Sequence, residues 1–101
     1  MPVTSNAVSI GTTAVKIVDA KSVPGATHQY YDPNIQSKFV FLQDGAYSSQ
    51  TEVYIGGPSV TTSNGVKMSK SNVTAIQLFA DDELYAIATD TDGEIRVTQV
   101  A

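Results

Sequence analysis

The sequence predicts an all-β protein built as an antiparallel β-sandwich of seven or eight short strands. Three observations lead there. Apolar residues recur with period two rather than 3.6. β-branched Val, Ile and Thr are frequent, while leucine stands only at Leu42, Leu78 and Leu84. The alternating runs are short, and clusters of turn-forming residues separate them.

Taken in order, the expected strands are Ala7 to Ile10, Ala14 to Val18, Lys38 to Gln43, Glu52 to Ile55, Val73 to Phe79, Leu84 to Thr89 and Glu94 to Val100, with a weaker one around Val66 to Met68. Between them lie Gly11-Thr12-Thr13, Asp44-Gly45, Gly56-Gly57-Pro58, Asn64-Gly65 and Asp92-Gly93. Such residues supply the positive or fixed φ that a chain reversal needs. Asp90 to Glu94 lies between two alternating runs and reads as a hairpin, because Asp-Gly suits turns whose twist matches paired strands. The last two strands are therefore expected to be antiparallel neighbours. Gly56 to Gly65 reads as a crossover between sheets with Val60 as an apolar plug.

Two strands carry apolar groups on both faces. In Phe39-Val40-Phe41-Leu42 no position is polar, which marks a central or doubly covered strand. In Val73 to Phe79, Ile76 and Leu78 fall opposite Val73, Ala75 and Phe79, so one face is expected to be covered by another subunit or a partner. Phe39, Phe41, Val53, Ile55, Ile76, Leu78, Ile87, Ile95 and Val97 are expected to supply core or subunit contacts. The Pro2 to Asn6 segment is expected to be loose until bound, having no evident ladder partner. Residues 21–37 break the alternation and read as a long loop carrying His28, Tyr30 and Tyr31.

With 101 residues the chain makes one domain, spanning residues 1–101. At 42% hydrophobic and 16% charged it is neither a disordered solvating segment nor a coiled coil. Its formal charge of −4 gives no field that attracts phosphate backbones, so nucleic acid is not an expected partner. No apolar stretch is long enough to span a bilayer as a helix, so no membrane partner is expected. No secretory signal is visible after Met1, so a soluble protein made in the cytoplasm is expected. The chain has no cysteine, which removes disulfides, thiolate metal sites and Cys nucleophiles.

Catalytic constellations are sparse. The one histidine, His28, lies in a polar loop with no serine elbow motif and no His-Glu-x-x-His motif elsewhere in the chain. Six of the ten acids fall at Asp81, Asp82, Glu83, Asp90, Asp92 and Glu94. Asp90-Thr91-Asp92-Gly93-Glu94 resembles the start of a calcium loop, so Asp90, Asp92 and Glu94 are the candidate metal ligands, more so if the two acidic turns converge. A strand resumes at Ile95, however, before such a loop could be completed, and a hairpin is the preferred reading. No cofactor and no enzymatic activity are expected. Tyrosines in the long loop, Tyr30 and Tyr31, together with Val60, are the candidate partner contacts.

The strings Val53-Tyr54-Ile55-Gly56-Gly57, Val60-Thr61-Thr62-Ser63-Asn64-Gly65, Asp82-Glu83-Leu84-Tyr85-Ala86-Ile87-Ala88 and Ile95-Arg96-Val97, with the opening Val8 to Val18, resemble a group of small β-sandwich virion proteins of tailed bacteriophages. Several of these are thought to be capsid decoration or cement proteins. The likeness covers the chain outside the long loop. It implies a jelly-roll-like sandwich, a location on the outer surface of a capsid, the major capsid protein as partner, and a homo-oligomer, a trimer at a local three-fold axis. The alternative is an adhesion module on a head or tail fibre that binds glycan through Tyr30 and Tyr31; a metal-assisted enzyme ranks last.

Overall fold

The computed structural model describes residues 3–19, 37–79 and 82–100, with the side chains of Ser37, Lys38 and Phe79 excepted. Eight strands follow one another: β1 (Val3–Ile10), β2 (Val15–Asp19), β3 (Ser37–Asp44), β4 (Val53–Gly56), β5 (Val66–Lys67), β6 (Thr74–Phe79), β7 (Glu83–Ala88) and β8 (Gly93–Val100). They form two four-stranded antiparallel sheets. Sheet A has the order β1-β8-β3-β6 and sheet B the order β2-β7-β4-β5. The expected β-sandwich is therefore present, and its strand boundaries lie close to those the alternation predicts except for β1, which begins four residues earlier.

The topology is that of one long ribbon rolled up. β1 pairs with β8, β2 with β7, β3 with β6 and β4 with β5. Two further pairings, β3 with β8 and β4 with β7, then knit the rolled ribbon into two sheets. This is a jelly roll, an arrangement of eight strands in two sheets. Every connection except that from β4 to β5 passes from one sheet to the other.

Two expectations about neighbours are thereby corrected. β7 and β8 are not adjacent; β7 lies in sheet B and β8 in sheet A. The Asp90 to Gly93 turn is an arch between sheets. Gly93 makes this possible, since a Cβ there would meet the Ala88 Cβ at 2.5 Å and the Ile10 carbonyl oxygen at 2.7 Å. The segment Gly56 to Gly65 is not a crossover but the tip of the ribbon, joining β4 and β5 within sheet B. Val60 does plug it: only 5% exposed, its Cγ2 lies 2.8 Å from where a Cβ on either Gly56 or Gly65 would sit. The turn around it closes on itself, with Thr61 N donating to Asn64 Oδ1 at 2.7 Å and Gly65 N to Thr61 O at 2.9 Å.

The core lies between the sheets. Sheet A contributes Ile10, Val40, Leu42, Leu78, Ile95 and Val97, and sheet B contributes Val18, Val53, Ile55, Leu84, Ala86 and Ala88, with Met68 from the β5 to β6 connection. Burial alternates strictly along β7 and through most of β8, as one covered face dictates. On β3 the inward residues are Val40 and Leu42, so of the core or subunit contacts expected of Phe39 and Phe41 the structure excludes the core role alone. They point away from sheet B because directly opposite residues share a face, and their partners Val100, Gln77, Thr98 and Ala75 face outward too. Ile76 packs partly against the core, and Ile87 is half-buried on the outer side of sheet B. The N-terminal segment, expected to be loose, is in the ladder from Val3 onward, with Val3 opposite Val100 and Asn6 opposite Val97.

Candidate functional site

The two outer faces differ in chemistry. Sheet B presents charge: Lys16 Nζ lies 2.8 Å from Glu83 and 3.5 Å from Asp19, and Lys67 Nζ lies 2.6 Å from Glu52. Glu83 holds the Lys16 ammonium above its ordinary range chiefly through their hydrogen bond. The Lys67 ammonium, then the Tyr54 hydroxyl donating at 3.1 Å, hold the Glu52 carboxyl below its ordinary range. Glu52 raises Lys67 in return, while partial burial, followed by the bond to Glu52, raises the Tyr54 phenol.

Sheet A presents apolar groups. Its ladders place Val3, Val100, Phe39 and Gln77 in one outward row and Ser5, Thr98, Phe41 and Ala75 in the next. Val3 is 61% exposed, Phe39 48%, Phe41 39%, and Val73, just before β6, 59%. Neither row contains a charged residue. Charge begins only in the rows beyond, with Arg96, whose Nε donates to Glu94 at 3.4 Å. Strand spacing and rise give the whole face roughly 19 by 26 Å. Two phenylalanines exposed side by side on a central strand are the more informative feature, since isolated exposed apolar residues are ordinary and contiguous ones mark contact surfaces.

A second feature is a cleft of about 450 Å³ lined by Asp44, Ser49, Glu52, Lys67, Met68, Ser69 and Lys70. Asp44 ends β3 and is buried, yet its Oδ1 accepts from Ala46 N at 2.9 Å and from Lys70 Nζ at 3.1 Å. Lys70 also donates to the Thr51 carbonyl at 2.9 Å, and its own carbonyl accepts from Gln43 Nε2 at 2.7 Å. Asp44 N donates to Ser69 O at 3.0 Å. These bonds tie the end of β3, the loop leading to β4 and the link from β5 to β6 into a clasp. Each lysine in the cleft faces one carboxylate, so the cleft's charges are paired with one another. Sequence reasoning reads Asp44 only as part of the Asp44-Gly45 turn and Lys70 belongs to no motif, so it misses the pair.

The residues singled out from sequence are scattered. Asp92 Oδ1 accepts from the Thr51 hydroxyl at 2.6 Å, Asp90 Oδ1 accepts from Thr91 N at 2.6 Å, and Glu94 pairs with Arg96. Each carboxylate fixes local structure. Among the described residues no three His, Cys, Asp or Glu side chains gather where a metal ion would sit. Asp82 and Glu83 do not converge with Asp90 and Asp92 either: the two pairs lie at opposite ends of β7, separated along its six residues by about 20 Å; Asp81 lies outside the described residues. Val60 is turned inward and only 5% exposed. Tyr30, Tyr31 and His28 lie outside the described residues.

No protein-family model matches the chain, and no curated protein matches it. Among solved structures, the chain is similar to one from Bacillus endospore appendages, described as forming a novel family of disulfide-linked pili. The TM-score is 0.47 and the identity 12%, with 97% of this chain and 82% of that chain covered.

Proposed function

We propose that this protein is a structural virion component that decorates a bacteriophage capsid and stabilises it by bridging neighbouring capsomers, with the outer face of sheet A as its contact surface. The observation that carries this reading is the uncharged double row around Phe39 and Phe41, held on the central strand of a rigid jelly roll. Burying two aromatic rings with their apolar neighbours is the chemistry of an interface centre, and polar groups at its border are supplied by Ser5, Gln43 and Arg96. The eight-stranded jelly roll agrees with the architecture implied by the resemblance to decoration proteins, a fold that also serves many other roles. In this reading the copies sit as a trimer at a local three-fold axis on the outer capsid surface, and the major capsid protein is the partner.

The test is co-sedimentation with emptied capsids that lack their decoration. The wild-type chain is expected to pellet with the shells and raise their resistance to heat. Phe39→Ser combined with Phe41→Ser is expected to keep its β spectrum and lose binding, while Val66→Ser on sheet B keeps both. Retained binding by the double variant, or failure of the wild-type chain to bind, contradicts the proposal.

A further inference from the structure

Sheet B guards both its edges. β2 is five residues long, its ladder shifts register between Lys16 and Val18, and Lys16 is held in ion pairs at its rim. β5 has two residues, one of them Lys67. A bulge, a short strand and an edge lysine are devices that stop another strand from adding. β1, an edge of sheet A, has none of them. It is eight residues long, VTSNAVSI, without charge or proline, and its ladder to β8 runs unbroken. Among the described residues β8 is the strand it pairs with. Moreover, Val3 to Ala7 are exposed on both sides of the sheet: Thr4 and Asn6 toward the sheet B side, and Val3, Ser5 and Ala7 on the outer side. Among the described residues this half of the strand reaches past the core and is held in the ladder by β8 alone.

We propose that β1 pairs antiparallel with β1 of a second copy around a two-fold axis passing through Asn6. The register follows from parity. Opposite residues must share a face, so paired numbers must sum to an even value. Of the two such registers that use seven residues, the one centred on Asn6 uses the exposed Val3 to Ser9. The other requires Ile10, which is 1% exposed and already packed in the core. With Asn6 on the axis, Val3 stands opposite Ser9 of the second copy, Thr4 opposite Val8 and Ser5 opposite Ala7. No charges are brought together, and the outward side chains near the axis are small. The two Asn6 amides face each other, and each carries both a donor and an acceptor, so they satisfy one another. That self-complementarity points to a second copy rather than a foreign strand. The product is one continuous eight-stranded sheet whose two apolar outer faces lie on the same side. The inference concerns a two-fold contact between copies through β1, a different contact from the three-fold one of the capsid reading, and its test reads the β1 contact alone.

Disulfide capture tests it in a chain with no cysteine of its own. Asn6→Cys places two thiols in directly opposed positions, whose Cα separation of roughly 4.5 to 5.5 Å lies within disulfide range. Ser9→Cys places its two thiols about 20 Å apart along the same ladder. Mild oxidation is expected to convert Asn6→Cys to covalent dimer at least about ten-fold faster than Ser9→Cys. In light scattering, Asn6→Asp is expected to weaken self-association several-fold at neutral pH, because two carboxylates then face each other. Equal crosslinking of the two cysteine variants, or a chain that stays monomeric at millimolar concentration, overturns the proposal.

Discussion

Leu42→Ala and Phe41→Ala are adjacent truncations on one strand that the fold predicts to have unequal costs. Leu42 is fully buried between the sheets, opposite Val97 and Thr74 in the ladders. Removing its side chain leaves a cavity that two packed sheets cannot close, at a cost of about 2 to 5 kcal/mol. Phe41 is the larger residue, but it is 39% exposed on the outer face. Truncation there opens no enclosed cavity and removes only part of a burial term worth about 1.5 to 3 kcal/mol in full, leaving a cost of about 1 to 2 kcal/mol. For a domain of this size each kcal/mol moves Tm by roughly 4 to 8 °C, so the two variants are separable by calorimetry as well as by urea titration. Leu42→Ala is expected to lose at least about twice the stability of Phe41→Ala. Equal costs, or a larger cost at Phe41, would refute the assignment of Phe41 to the outside.

Further outcomes follow from the arch, the clasp and the surface ion pairs. Gly93→Ala is expected to destabilise by about 1 to 3 kcal/mol in thermal unfolding, because its methyl group would press on Ala88 and the Ile10 carbonyl. Gly57→Ala, where a Cβ has open space, serves as the control. Lys70→Met strands the buried Asp44 carboxylate and is expected to cost about 1 to 3 kcal/mol, with much of the loss recovered when Asp44→Asn is added; a double-mutant cycle measures that coupling. The Glu52 and Lys67 pair makes stability depend on pH at both extremes. Glu52 titrates lower in the folded chain, so its contribution is present above its ordinary pKa of 4.5 and fades as pH falls through the folded value. Lys67 titrates higher, so its contribution is complete below 10.5 and fades as pH rises through the folded value. Glu52→Gln is expected to flatten both limbs slightly in pH-dependent urea unfolding, the effect being small for an exposed pair.

Period-two alternation located each strand of the described residues at least in part, including the two-residue β5 but not the first four residues of β1, because side-chain direction is a local property of extended backbone. It did not say which strand lies beside which. β7 and β8 each carry an inward row, Leu84, Ala86 and Ala88 on one and Ile95 and Val97 on the other. Those rows read the same whether the strands are hydrogen-bonded neighbours or face each other across the core. Asp92-Gly93 permits a tight turn in either case; what selects the arch is the packing of Gly93 against Ala88 and Ile10, which are not its neighbours in sequence. Phe39-Val40-Phe41-Leu42 posed the same problem. Both faces are apolar, and only the register with β8 and β6 decides that the leucine and valine go in and the aromatics out. The Asp44 and Lys70 clasp joins positions 26 residues apart that become neighbours only through that register. Val60 was legible because its role is local, the filling of a turn between two glycines.

Hydroxyl-radical footprinting of the chain, free and then bound to emptied capsids, examines the outward phenylalanine row where it stands. The account predicts that Phe39 and Phe41 react readily in the free protein and become protected on the shell, while the fully exposed Tyr47 keeps its reactivity. Phenylalanines inert in the free protein, or equally reactive in both states, would contradict it.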